Sequence, residues 1–169
     1  MKTSTALTLA IGAASAIVLT LPAQALQLKE TYKDWAVYVH EKDASKTCFA
    51  ISKPTDMKPK GVNRGDVFFY VSSWPGDKVN NEISIKIGYP MDGESVPSAN
   101  VGSDQFNLFA EGDKAFVADE TVEVNLVKAM KKGSTLVVKG RSKRGTSTVD
   151  KYSLAGISAA LKRVSSECR

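Results

Sequence analysis

The chain has 169 residues, 43% of them hydrophobic, with 23 Lys or Arg against 18 Asp or Glu and a formal charge of +5. That length excludes two comfortable domains once a leader is removed, and the moderate positive excess permits an anionic partner without demanding one. One His and two distant Cys are too few to build a protein metal centre.

The first 25 residues read as a cleaved signal peptide. Lys2 gives a positive start, and Ala6 to Leu21 form an apolar run. The run is shorter than the roughly 20 residues a permanent transmembrane helix needs. Pro22 ends it, and Ala23-Gln24-Ala25 supplies the small-x-small pattern a signal peptidase accepts. An uncleaved anchor is the alternative. No later stretch is apolar enough to cross a membrane, so residues 26–169 are expected to form one strand-rich domain, periplasmic or secreted, with a peripheral position at the outer membrane as one form of this. Without Lys2 its charge is +5 − 1 = +4.

Trp35 to His40 alternates and is rich in branched and aromatic residues, which predicts a strand with Trp35 in the core. Thr47 to Ser52 is a second strand. Pro54, Pro59 and Gly61 mark a loop. Val67 to Ser73 is nearly all apolar, the pattern of a strand buried on both faces. Trp74-Pro75-Gly76-Asp77 is a turn, where Trp74 is either an exposed binding aromatic or folded over the core edge. In Glu82 to Tyr89, alternation puts Ile83, Ile85, Ile87 and Tyr89 on one face.

Pro90 to Gly102 reads as an irregular excursion. Gln105–Ala110 and Lys114–Ala118 form a hairpin around Gly112. Val122, Leu126, Ala129 and Met130 recur at helical spacing, with acid before them, Lys131 and Lys132 at the end, and Gly133 as the stop. Leu136–Arg141 and Thr146–Leu154 make a second hairpin turning at Arg144-Gly145. Ile157, Ala160, Leu161, Val164 and Cys168 then line one face of a closing helix. The fold class expected is mainly β, all-β to α+β. It is an antiparallel sandwich or partly open barrel with two short helices, one of them C-terminal.

Two cysteines in a small exported chain pair as a rule, so Cys48 and Cys168 are expected to form a disulfide stapling the last helix to the second strand. A reactive thiol or a metal site are the alternatives. No cofactor motif is present. His40 has Glu41 beside it but no orienting partner for base catalysis. The carboxylate pairs Asp92/Glu94 and Asp119/Glu120 have the residue types of a glycan-acting hydrolase, although loop solubility and helix capping explain them equally. The concentrated charge is Lys139, Arg141, Lys143 and Arg144. Alternation puts the first three on one strand face, about 6.7 Å apart. The row is either an anionic contact surface or a solvated edge that resists aggregation, with Asp150 expected opposite Lys139. Nucleic acid is not an expected partner, since aromatics do not interleave with the charges.

The ordered set Asp34-Trp35, Val37, Cys48, Arg64, Asn81-Glu82-Ile83-Ser84, Gly88-Tyr89-Pro90, Phe106-x-Leu108, Leu126 to Gly133, Ser142-x-Arg144-Gly145-Thr146, Tyr152 to Ala160 and Cys168 resembles the invasion-associated locus B family of Gram-negative envelope proteins. The likeness spans the chain after the leader. It implies an exported, strand-rich envelope protein with no assigned reaction, cofactor or catalytic residue. Relatives often carry a further Cys on the first strand, where this chain has Val39. The expected function is therefore a non-enzymatic binding or interaction module that contacts an unknown protein or an anionic envelope or host surface. A glycan-acting hydrolase and a structural envelope component are the alternatives.

Overall fold

A computed structural model describes residues 26–42 and 45–169; the segment read from the sequence as a signal peptide lies outside them. Twelve strands and two helices follow in order: β1 (Gln27–Tyr32), β2 (Trp35–Lys42), β3 (Ser45–Ser52), β4 (Asp56–Lys58), β5 (Phe68–Trp74), β6 (Val79–Lys86), β7 (Ser98–Val101), β8 (Asp104–Asn107), β9 (Phe109–Glu111), β10 (Lys114–Phe116), α1 (Glu120–Lys132), β11 (Thr135–Arg141), β12 (Ser147–Ser153) and α2 (Ile157–Glu167). A seven-stranded sheet has the order β1-β2-β3-β5-β6-β10-β9, and a five-stranded sheet the order β4-β12-β11-β7-β8. Every pairing within them is antiparallel.

The fold is the expected mainly-β, sandwich-like arrangement with two helices, one C-terminal. Period-two alternation supplies its core. Trp35, Val37 and Val39 of β2, Cys48 and Ala50 of β3, Phe69 and Val71 of β5, and Ile83 and Ile85 of β6 are all buried, and so are Leu136 and Val138 of β11 and Tyr152 of β12. Phe69 joins the layers, packing edge-on against Trp35 and Tyr152 at 6.0 and 5.6 Å between ring centroids. The Trp35 indole N–H donates to the Ser153 carbonyl at 3.0 Å, so this large side chain is buried without an orphaned donor.

The helices complete the core. Asp119 caps α1, its Oδ1 accepting from the Thr121 and Val122 amides at 2.8 and 3.1 Å. Leu126, Val127 and Met130 form its buried stripe. On α2, Ile157, Ala160, Leu161 and Val164 are buried as the spacing predicts. Gly156 starts this helix at φ 95, with the Tyr32 carbonyl where a Cβ would stand, so no other residue fits there. Cys48 and Cys168 are bonded, with Cα atoms 5.9 Å apart and a sequence separation of 120. The staple ties the end of α2 to β3, as expected.

Four expectations need correction. Pro90 to Gly102 is not wholly irregular, since it contains β7. Gln105–Ala110 is two strands, because the chain passes at Leu108 from β8 in one sheet to β9 in the other. Residues Val67 to Ser73 are not buried on both faces: Phe68 and Tyr70 point outward from the seven-stranded sheet and are half-exposed. Asp150 lies opposite Val138, not Lys139. The turn is a five-residue loop between Arg141 and Ser147, which slips the register by one and sends Asp150 inward.

Candidate functional site

The sandwich presents two unlike outer faces. On the five-stranded sheet, Leu136 and Val138 point in, so Val137, Lys139 and Arg141 point out. Lys139, Arg141, Lys143 and Arg144 are all exposed, as the sequence expects. They are not the whole patch. Lys139 sits opposite Val149 of β12, and Lys58 of β4 sits opposite Val149 from the other side. Lys151 lies two residues along β12 on the same face. Strand spacing puts the Cα atoms of Lys58 and Lys139 about 10 Å apart. Sequence reading missed Lys58 because β4, only three residues long, carries no periodic signal, and Lys151 because the expected register turned it inward.

Part of this charge is answered locally. Arg141 Nε lies 3.6 Å from Asp92 Oδ2, and Lys60 Nζ lies 2.6 Å from Asp56 Oδ1. The Lys60 hydrogen bond, with Lys58 and Lys151 nearby, holds the Asp56 carboxyl below the ordinary carboxylate range. Lys139, Lys143 and Arg144 take part in none of the described ion pairs.

The outer face of the seven-stranded sheet is aromatic. Tyr38 of β2 is in register with Phe49 of β3, and Ile51 of β3 with Ala36 and Tyr70 on either side. Tyr38 and Phe49 stack with centroids 5.7 Å apart, Phe49 and Tyr70 lie 5.9 Å apart, and Phe68 and Tyr70 another 5.9 Å. The Lys53 ammonium stands 5.3 Å from the Phe68 centroid. These side chains line a groove of about 710 Å³. Beyond Ser84, Phe116 and Phe109 form a second stacked pair with centroids 5.5 Å apart.

The remaining candidates have local structural uses. Asp92 Oδ1 accepts from the Glu94 amide at 3.1 Å, and its main-chain carbonyl accepts from the Ser95 amide at 3.2 Å, so this pair builds a turn. Asp119 and Glu120 border a hollow of about 320 Å³ together with Glu82 and Glu123. Burial raises the carboxyls of both Glu82 and Glu123. Glu123 Oε1 accepts from the Ile83 amide at 2.6 Å and pins α1 to β6. Trp74 is half-buried beside His40, at the rim of another hollow. Among the described residues no group of three or more His, Cys, Asp or Glu is placed to hold a metal ion.

Inside the sandwich the structure brings together Arg64 and Asp150, which the sequence left apart. Arg64 Nη1 and Nη2 donate to the two Asp150 oxygens at 2.7 Å each, and Nη2 also donates to the Ile87 carbonyl at 2.7 Å. Tyr89 lies under the guanidinium, 5.1 Å from its ring centroid, and bonds Thr148 through its hydroxyl at 2.6 Å. Burial pulls the Arg64 guanidinium down, but the Asp150 hydrogen bonds and charge outweigh it. The buried Tyr152 hydroxyl beside them has no partner, and burial followed by the Asp150 charge pushes it far up.

Arg64, Gly88-Tyr89, Tyr152 and Cys168, all part of the resemblance quoted from the sequence, thus sit at this ion pair or at the disulfide. The family model described as "Invasion associated locus B (IalB) protein" matches residues 35–165. The chain belongs to the invasion-associated locus B family. The matched span runs from the first residue of β2 into the last turn of α2, so it takes in every strand but β1, the whole of α1 and most of α2. Neither the curated proteins nor the solved structures return a match. No helix among the described residues is long and apolar enough to cross a membrane.

Proposed function

We propose that this member of the invasion-associated locus B family is a non-enzymatic envelope protein, exported by a cleaved leader, that works by contact with an anionic surface. The observation that carries the reading is the outer face of the five-stranded sheet. Lys58, Lys139 and Lys151 surround Val149 there, and Lys143 and Arg144 extend the charge from the hairpin tip. A flat array of ammonium and guanidinium groups meets lipid phosphates or acidic polysaccharide without needing a pocket. The disulfide supports an oxidising compartment. Asp56 and Asp92, which partner Lys60 and Arg141, trim the field and leave Lys139, Lys143 and Arg144 as its free part.

The test is co-sedimentation with anionic vesicles, with lipopolysaccharide and with neutral vesicles, each at low and physiological salt. The triple variant Lys139→Glu, Lys143→Glu, Arg144→Glu is compared with a triple reversal of Lys128, Lys131 and Lys162 on the two helices, which changes the net charge equally. Each basic residue near an anionic surface contributes about 1 kcal/mol, so the hairpin variant is expected to lose two orders of magnitude or more in binding. Binding that resists salt, or that both variants lose alike, refutes the reading.

A further inference from the structure

We infer that the aromatic face of the seven-stranded sheet is a second binding site, shaped for an uncharged pyranose glycan strand. Four rings, Tyr38, Phe49, Tyr70 and Phe68, run as a continuous ribbon across β2, β3 and β5 with centroid steps of 5.7 to 5.9 Å. All four lie on the solvent side of the sheet and are partly exposed, each covered in part by its neighbours. A contiguous run of solvent-side rings is one mark of an interaction site.

The occupant follows from the shape, the backbone and the charge. The rings line a groove rather than a protruding ridge, which suits a single strand lying along the sheet and does not suit insertion into a lipid surface. Strands β2, β3 and β5 are interior to the sheet, so their backbone groups are spent in ladders and cannot extend to a peptide. A ligand here meets side chains alone. Ring faces carry negative charge density and attract weakly polarised C–H groups, which a pyranose presents on its axial face.

The rim supplies the complement to sugar hydroxyls. Thr31, Lys33, Asp34, Lys53 and Thr55 border the groove with both donors and acceptors. Two ammonium groups against one carboxylate leave the rim with a single net positive charge, far less than a polyphosphate would require. The Lys53 ammonium over Phe68 already shows a ring face used for a polarised partner. This site lies on the opposite side of the sandwich from the basic face and does not depend on it.

The test is calorimetric titration of the disulfide-bonded protein with an N-acetylglucosamine hexamer at low and high salt. Two variants accompany it. Tyr38→Ser with Tyr70→Ser removes two platforms. Ala36→Gln fills the groove between Thr31 and Ile51 while keeping every ring, and it decides the matter if the first variant folds poorly. Salt-insensitive binding that weakens about tenfold or more in each folded variant supports the site, the loss expected when an aromatic anchor goes. No binding at millimolar hexamer, binding that survives Ala36→Gln, or binding that requires an anionic oligomer such as galacturonate hexamer overturns it. The hairpin charge-reversal variant should bind the hexamer normally. Loss there would return both activities to the basic face.

Discussion

Replacing Asp150 by Ala tests the electrostatics of the interior. Its side chain is 1% exposed and that of Arg64 is 7%, so both charges have given up nearly all their water. The pair survives because the two carboxylate oxygens and both terminal guanidinium nitrogens are engaged at 2.7 Å, with the Ile87 carbonyl as an additional acceptor. Removing one partner strands the other in the core, which costs about 3–5 kcal/mol. In a domain of this size that lowers Tm by about 10–16 °C. Arg64→Met strands the Asp150 carboxylate in the same way and should cost a similar amount. The double variant Arg64→Met, Asp150→Leu has no stranded charge and should lie far closer to the parent than the sum of the two. Urea unfolding of the four proteins closes the cycle, and a coupling of several kcal/mol is expected. Single variants that each cost under about 1 kcal/mol and simply add in the double would show that the pair is not held as described.

Two other perturbations follow from the same structure. Cys168→Ser should destabilise by up to roughly 5 kcal/mol, the chain-entropy value for a loop of this length, and should loosen α2 first in hydrogen exchange; a melting curve unchanged by reduction would refute the staple. Glu123 is raised in the folded state by burial, with Glu82 and Glu120 adding repulsion. Between its unfolded and folded pKa the native state therefore holds more proton than the unfolded one. Its unfavourable contribution fades as pH falls through the folded pKa. Glu123→Gln should keep the oxygen that accepts from Ile83, leave stability at neutral pH equal or higher, and flatten the gain on mild acidification. A larger acid gain in the variant than in the parent would refute this.

Period two was the legible part of the sequence. Trp35, Val37, Ile83 and Ile85 fall on the inward side because alternation and burial coincide there. Alternation does not say whether a second layer covers the other side. Phe68 and Tyr70 alternate with Phe69 and Val71, all four are apolar, and only the finished sheet shows that no layer covers the first two. Strand β1 is polar at most positions and is held by its backbone ladder to β2, so it leaves no pattern to read. The basic row was visible because it is local in sequence. Its partner Lys151 became a neighbour through the β11–β12 register, and Lys58 only through the β4–β12 pairing.

The Arg64–Asp150 pair shows how small the gap was. A two-residue turn at Arg144-Gly145 gives one register and a five-residue loop with Gly145 at φ 85 gives the next, and the two differ by one residue. In the first register Asp150 is a surface charge that answers Lys139; in the second it is the buried anion that holds Arg64. The same slip decides how basic the outer face is. With Asp150 turned inward, Val149 takes its place opposite Lys139 and no carboxylate of β12 remains on that face. One inward carboxylate thus braces the interior and removes the nearest counter-charge from the surface. A variant that restores the charge, Val149→Asp, should therefore weaken anionic binding while leaving the Arg64 pair and the fold in place.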